Sequence, residues 1–128
     1  MKRQLFYFVA VGSAAALTHY LGVIAWVSLL GLSPLRANVL GFLAAFVVSY
    51  LGHRQWTFAA QQVSHQQTLP RFFLVALASF LLNQGLFAWM LERWPGWPYT
   101  LSLAIVLLVV AALTFVSSRL WAFAGGGR

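Results

Sequence analysis

Acidic residues are almost missing from this chain: Glu92 is its single carboxylate side chain, against eight Lys and Arg. Paired carboxylates for general acid–base catalysis are thereby excluded. So is a carboxylate relay for protons or cations, because no Asp or Glu falls inside an apolar run. Cysteine is absent, which removes disulfides and thiolate metal sites and leaves the redox compartment open. There is no glycine loop leading into Lys and Ser/Thr to cradle nucleotide phosphates, no Ser/His/Asp set and no cluster of metal ligands. The expectation is a protein that is not an enzyme and uses no cofactor or metal.

Charge of either sign is scarce too. Only 7% of the 128 residues are charged, where a soluble domain carries roughly a quarter. With 62% hydrophobic residues, no soluble surface can be made from this sequence. Four apolar runs, at about 5–30, 37–56, 71–91 and 98–118, are each long enough to cross ~30 Å of hydrocarbon at ~1.5 Å per residue. The first follows Met1-Lys2-Arg3-Gln4 and superficially resembles a signal peptide. It is too long for such a segment, and is expected to be a retained span. Gly31-Leu32-Ser33-Pro34 and Arg93-Trp94-Pro95-Gly96 are short breakers that predict tight turns between antiparallel helices. The glutamine-rich stretch 59–70 is expected to be a solvated link between two halves, and the closing Gly125-Gly126-Gly127-Arg128 a flexible tail.

The halves match each other. A shift of 65 residues superposes Phe8 on Phe73, Leu17 on Leu82 and Gly31 on Gly96, and then Arg54, Trp56 and Phe58 on Arg119, Trp121 and Phe123. A duplicated unit of two spans re-enters the membrane in the same orientation, so the repeats are expected to be parallel. The predicted fold is an all-α membrane protein of four transmembrane helices, forming two parallel repeated hairpins in one domain. Repeat one covers about 4–58, the polar link 59–70 and repeat two about 71–123.

Basic residues set the orientation. Both termini and the link must share a side, which holds Lys2, Arg3, Arg54, Arg71, Arg119 and Arg128; the other side holds Arg36 and Arg93. That asymmetry predicts cytoplasmic termini. The cations lie at the ends of apolar runs and not on one face, which suits lipid headgroups and phosphates better than nucleic acid. Trp56, Trp121, Trp94, Trp97 and Tyr99 fall at the predicted interfaces.

Arg54 and Arg119 end the second and fourth runs in the same Arg-x-Trp-x-Phe pattern. A guanidinium there offers a planar fork for phosphate oxygens, and its position near a helix C-terminus favours a cation. It could equally snorkel and anchor the helix, as could Arg3 and Arg71. Glu92 beside Arg93 reads as a local surface feature. His19 lies ~14 residues, or ~21 Å, into the first run. Its counterpart is Gln84, and that of Thr18 is Asn83. Polar groups at one depth in both halves suggest an internal seam, serving either interhelical hydrogen bonds or sugar hydroxyls. Ser49 and Thr114 correspond as well, and His53, Ser117 and Ser118 extend the polar stripe. Gly12, Gly22, Gly41 and Gly52 are expected to allow close helix packing.

The opening FYFVAVGSAAALTHYLGVIAWVSLLGL, the end HRQWTF and its echo SRLWAF resemble the GtrA-like family of small four-helix membrane proteins. The resemblance covers nearly the whole chain. It implies translocation of a polyprenyl-phosphate-linked sugar, such as an undecaprenyl phosphate sugar, across the cytoplasmic membrane for cell-surface polysaccharide synthesis or modification. The family pattern has Asn before the arginine and further Asn in the even helices; here those places are His53 and Ser118, with Ser49 and Thr114 deeper. The Asp common in the first helix is His19.

The expected function is therefore a lipid-linked sugar flippase of the inner membrane. Arg54, Arg119, Arg71 and Arg3 would bind the carrier phosphate, and Trp56, Phe58, Trp121 and Phe123 would be interfacial aromatics. Thr18, His19, Ser49, Asn83, Gln84 and Thr114 would form the translocation seam. Four short helices enclose little, which predicts a homo-oligomer. Two rivals stand: a non-transporting scaffold that recruits a membrane glycosyltransferase, and a small multidrug-type antiporter, which the lack of a buried carboxylate disfavours.

Overall fold

The computed structural model describes residues 2–57 and 65–117. Within them lie four long helices and no strand: α1 (Lys2–Leu30), α2 (Pro34–Gly52), α3 (His65–Arg93) and α4 (Tyr99–Ser117). One turn of π-helix, His53–Thr57, extends α2. Leu5–Leu30, Pro34–Trp56 and Phe73–Arg93 have the length and apolarity of membrane spans, and Tyr99–Thr114 is a shorter apolar helix. The protein is a multi-pass membrane protein, and its exposed large side chains, Leu5, Phe6, Leu17 and Leu21 among them, are the lipid-facing surface that such a fold needs.

Local chemistry sets the first reversal. Gly31, at φ 67°, is the one described glycine in the left-handed region, and its N–H donates to the Val27 carbonyl at 3.1 Å. That is a C-cap geometry only glycine adopts without cost. Ser33 then caps α2, its Oγ accepting from the Arg36 N–H at 3.4 Å, with Pro34 in the first helical position. This cap starts α2 at Pro34, three residues before the apolar run at 37. The second reversal, at 94–98, is a different turn, in which the Trp97 N–H reaches the Trp94 carbonyl at 3.1 Å and the Pro98 carbonyl receives Leu101 and Ser102.

The α3 helix begins at His65 and takes in 65–70 of the stretch read from sequence as a link, with Pro70 inside its second turn. A proline there has no N–H for the preceding turn, which weakens the helix locally without ending it.

The chain divides into two compact units, Met1–Phe80 and Leu81–Arg128. In the first, α1 and α2 form an antiparallel hairpin. A Cβ added at Gly41 would lie 2.8 Å from Val23 and 2.9 Å from His19, and one at Gly52 would lie 2.7 Å from Val11. These glycines sit eleven residues apart, about three helical turns, so they line one face of α2 against α1. Of the four glycines expected to permit packing, these two do. Gly12 faces open space, and Gly22 meets only Trp26 of its own helix. A second face of α2 carries Phe42, Phe46 and Tyr50. Phe42 stacks on Phe80 at 4.5 Å, and Phe46 meets Phe73 edge-on at 5.3 Å, which ties the first part of α3 to this unit. Such aromatic contacts contribute about 0.5–1.5 kcal/mol each beyond area burial. Among the described residues of the second unit, the buried side chains are Asn83, Phe87 and Met90 of α3 and Ser102, Leu103 and Val106 of α4.

Candidate functional site

The first hairpin contains a buried polar pair. His19 Nε2 lies 2.6 Å from Asn38 Oδ1, and both residues are buried. A carboxamide oxygen only accepts, so Nε2 carries the proton and donates it, and Nδ1 is left as the acceptor. The pair is possible because Gly41, one turn beyond Asn38, has no side chain to push the imidazole away. His19 stands about 14 residues from Leu5 and 11 from Leu30, ~21 Å and ~16 Å along the helix, near the middle of its span.

The flanking expectations divide. The Thr18 hydroxyl donates to the Ala14 carbonyl at 2.8 Å, the back-bonding common for threonine in membrane helices. Ser49 is half-buried and its carbonyl accepts from the His53 N–H; Thr114 is exposed. In the second unit Asn83 is buried and Gln84 half-buried. Asn38 was not anticipated from sequence, because its equivalent under the 65-residue shift is Leu103 and the match gives it no echo. Ser102 was missed too. Its hydroxyl is fully buried and, among the described residues, has no hydrogen-bond partner.

At the end of the hairpin away from Gly31, the π-turn holds the Arg-x-Trp motif. A π-turn spends an extra residue per turn, and such turns recur at functional sites. His53 opens it, buried, with its ring 5.2 Å from Phe8 of α1. Arg54 follows, half-buried, while Arg3 near the start of α1 is exposed and Trp56 is 54% exposed. The Phe8–His53 contact brings the start of α1 to the π-turn, so Lys2, Arg3 and Arg54 collect at one end of the hairpin. Arg36 lies at the other, in the first turn of α2. The Arg71 side chain, Phe58, and the second motif with Arg119, Trp121 and Phe123 lie outside what the structure describes.

The family model of the GtrA/DPMS transmembrane domain matches residues 7–123. The chain belongs to that family. It is a GtrA-family membrane protein, linked through the family to the handling of lipid-linked sugars. No curated protein and no solved structure matches the chain. Among the described residues no group of three or more His, Asp or Glu could hold a metal ion.

Proposed function

We propose that this GtrA-family protein is a flippase, moving a polyprenyl-phosphate-linked sugar across the cytoplasmic membrane for cell-surface polysaccharide synthesis or modification. The observation that carries the reading is the His19–Asn38 pair at mid-span, in a hairpin whose one end gathers Lys2, Arg3 and Arg54. The cations neutralise the carrier phosphate, with Arg54 best placed to hold it by a bidentate fork. The buried imidazole and carboxamide offer partners to sugar hydroxyls that would otherwise be stripped of water in hydrocarbon. In the same reading Arg119 and Arg71 are further candidates for the phosphate and Ser49, Asn83, Gln84 and Thr114 for the sugar, and the prenyl tail stays in lipid along the apolar faces.

No covalent step is catalysed and no cofactor is used, so transfer runs downhill, drawn by consumption of the sugar on the far side. The protein acts in the inner membrane as a homo-oligomer with both termini cytoplasmic. Reporter fusions within 61–67 and at Gly125 should both read as cytoplasmic; a periplasmic signal from either overturns that orientation.

The deciding test is scrambling of a labelled polyprenyl-phosphate sugar in vesicles holding this purified protein alone. Transport without a partner supports the flippase. Folded protein that binds a membrane glycosyltransferase and scrambles nothing points to the scaffold reading instead.

A further inference from the structure

We infer that the turn between α3 and α4 is a pyranose-binding platform, in which the outer face of Trp97, backed by Trp94, takes the face of a sugar ring and the polar groups of Arg93 and Glu92 at the same turn take its hydroxyls. The sequence Trp94-Pro95-Gly96-Trp97 builds it. The Trp97 N–H bonds to the Trp94 carbonyl at 3.1 Å, closing a four-residue turn with Pro95 in its second position. That position suits proline's fixed φ, and the closure brings the first and last residues within ~7 Å. The two indoles therefore stack, 5.0 Å apart and 13° from parallel. Trp89 meets Trp94 edge-on at 5.3 Å, and the Arg93 guanidinium carbon lies 5.4 Å from the Trp94 ring centre. The wall remains open: Trp97 is 40% and Trp89 55% exposed, and Glu92 and Arg93 are exposed beside it.

Interfacial anchoring does not explain the cluster. The turn at 31–33 has the same reversal to make, yet under the 65-residue shift it carries Leu29 and Leu32 for Trp94 and Trp97. Val27 and Ser28 stand there for Glu92 and Arg93. Belt tryptophans need only reach the headgroup level; here Trp97 is held against Trp94, which fixes its outer face as a preorganised surface. The chain's single acid also stands at this turn. A carboxylate that accepts and a guanidinium that donates, next to an apolar aromatic face, are the groups that hydroxyl-rich, C–H-faced sugar rings need. The inference deepens the flippase reading, on which it rests for the source of the sugar: the turn, on the far side in the proposed orientation, would receive the sugar as it emerges.

Soluble methyl glycosides of glucose, galactose, mannose and N-acetylglucosamine serve as probes. Their binding to the full chain in lipid nanodiscs is measured by saturation-transfer NMR. At least one should bind saturably, and Trp97→Ala should weaken it by on the order of tenfold. Trp97→Phe and Glu92→Gln should retain the fold, Phe holding part of the affinity and Gln losing several-fold. Failure of every glycoside to bind saturably overturns the platform, as does unchanged binding in Trp97→Ala or, if that variant misfolds, in both milder variants. Scrambling assayed on the same preparations separates the two readings. Saturable binding without scrambling leaves the platform and sinks the flippase, whereas scrambling without binding does the reverse.

Discussion

The first and second halves reverse direction at equivalent places, but only part of their buried positions correspond, and those are filled with different chemistry. On α2 and α4 the buried Ala37, Asn38 and Gly41 correspond under the 65-residue shift to the buried Ser102, Leu103 and Val106, whereas buried Phe42 corresponds to half-buried Leu107. A buried carboxamide in one half is thus a leucine in the other, and a glycine is a valine. On α1 and α3 the register slips. Val11, Ala15, His19 and Val23 are buried at every fourth residue, whereas Phe80, Asn83, Phe87 and Met90 alternate steps of three and four. His19 is buried, whereas its sequence partner Gln84 is half-buried and the neighbouring Asn83 is buried. Among the described residues the glycine-lined contact at Gly41 and Gly52 and the His19–Asn38 pair lie in the first half, and the stacked aromatic turn lies in the second.

Filling the glycine contact should break this difference most severely. Gly41→Leu would drive its Cβ against Val23, the His19 ring and the His19 carbonyl oxygen, the last at 3.0 Å. Backbone cannot rotate away as a side chain can, so α1 must shift. Overpacking of this kind costs about 1–3 kcal/mol or more. The expected outcome is loss of monodisperse protein in a detergent thermal-stability assay, with Gly12→Leu, which meets open space, close to wild type. Equal tolerance of both would mean that α1 and α2 do not approach through Gly41.

The next largest effect belongs to Arg54. If the half-buried guanidinium holds the lipid phosphate, Lys cannot replace its fork. Arg54→Lys should then weaken substrate dependence of scrambling by on the order of 10- to 100-fold, the worth of a charge-assisted hydrogen bond of roughly 1.5–3 kcal/mol. Arg3→Lys, at an exposed position, should change little. Wild-type kinetics in Arg54→Lys, with normal folded yield, would return Arg54 to the role of an anchor. Arg119→Lys tests the same point for the second motif.

Helix existence and most helix ends were legible in the residues, because apolar length and breakers are local signals. The end of α1 and the start of α4 follow from Gly31 and from Pro98. The start of α3 was not, since glutamines and Pro70 read as a link; yet glutamine is a good helix former, and one proline in the second turn does not stop a helix. The π-turn at His53–Thr57 carries no periodic signature of its own. Gly12, Gly22, Gly41 and Gly52 look alike in sequence, and only packing separates the two that touch α1. Asn38 is inconspicuous in the sequence for a related reason: a polar seam residue stands out by its echo in the other half, and the echo of Asn38 is Leu103.

The smallest expected effect distinguishes hydrogen bonding from titration at His19. Asn38→Leu, which copies the second half's residue into the first, leaves the imidazole N–H buried without its acceptor. Orphaning a buried donor costs about 1–3 kcal/mol in general, but membrane double-mutant cycles average only ~0.6 kcal/mol, because a polar group in an unfolded membrane protein also finds partners. A modest drop in thermal stability is therefore expected, at the low end of the first range. His19→Gln keeps a donor and an acceptor on the same helix face and cannot change charge, so it should lose less still. Its scrambling rate should stay near wild type between about pH 5.5 and 8, the window in which an unperturbed histidine changes charge. A wild-type rate that varies with pH across that window, together with a flat and much slower rate in His19→Gln, would show that transport turns on a proton at His19. Similar flat profiles in both would confine the imidazole to its bond with Asn38 and to contact with passing hydroxyls.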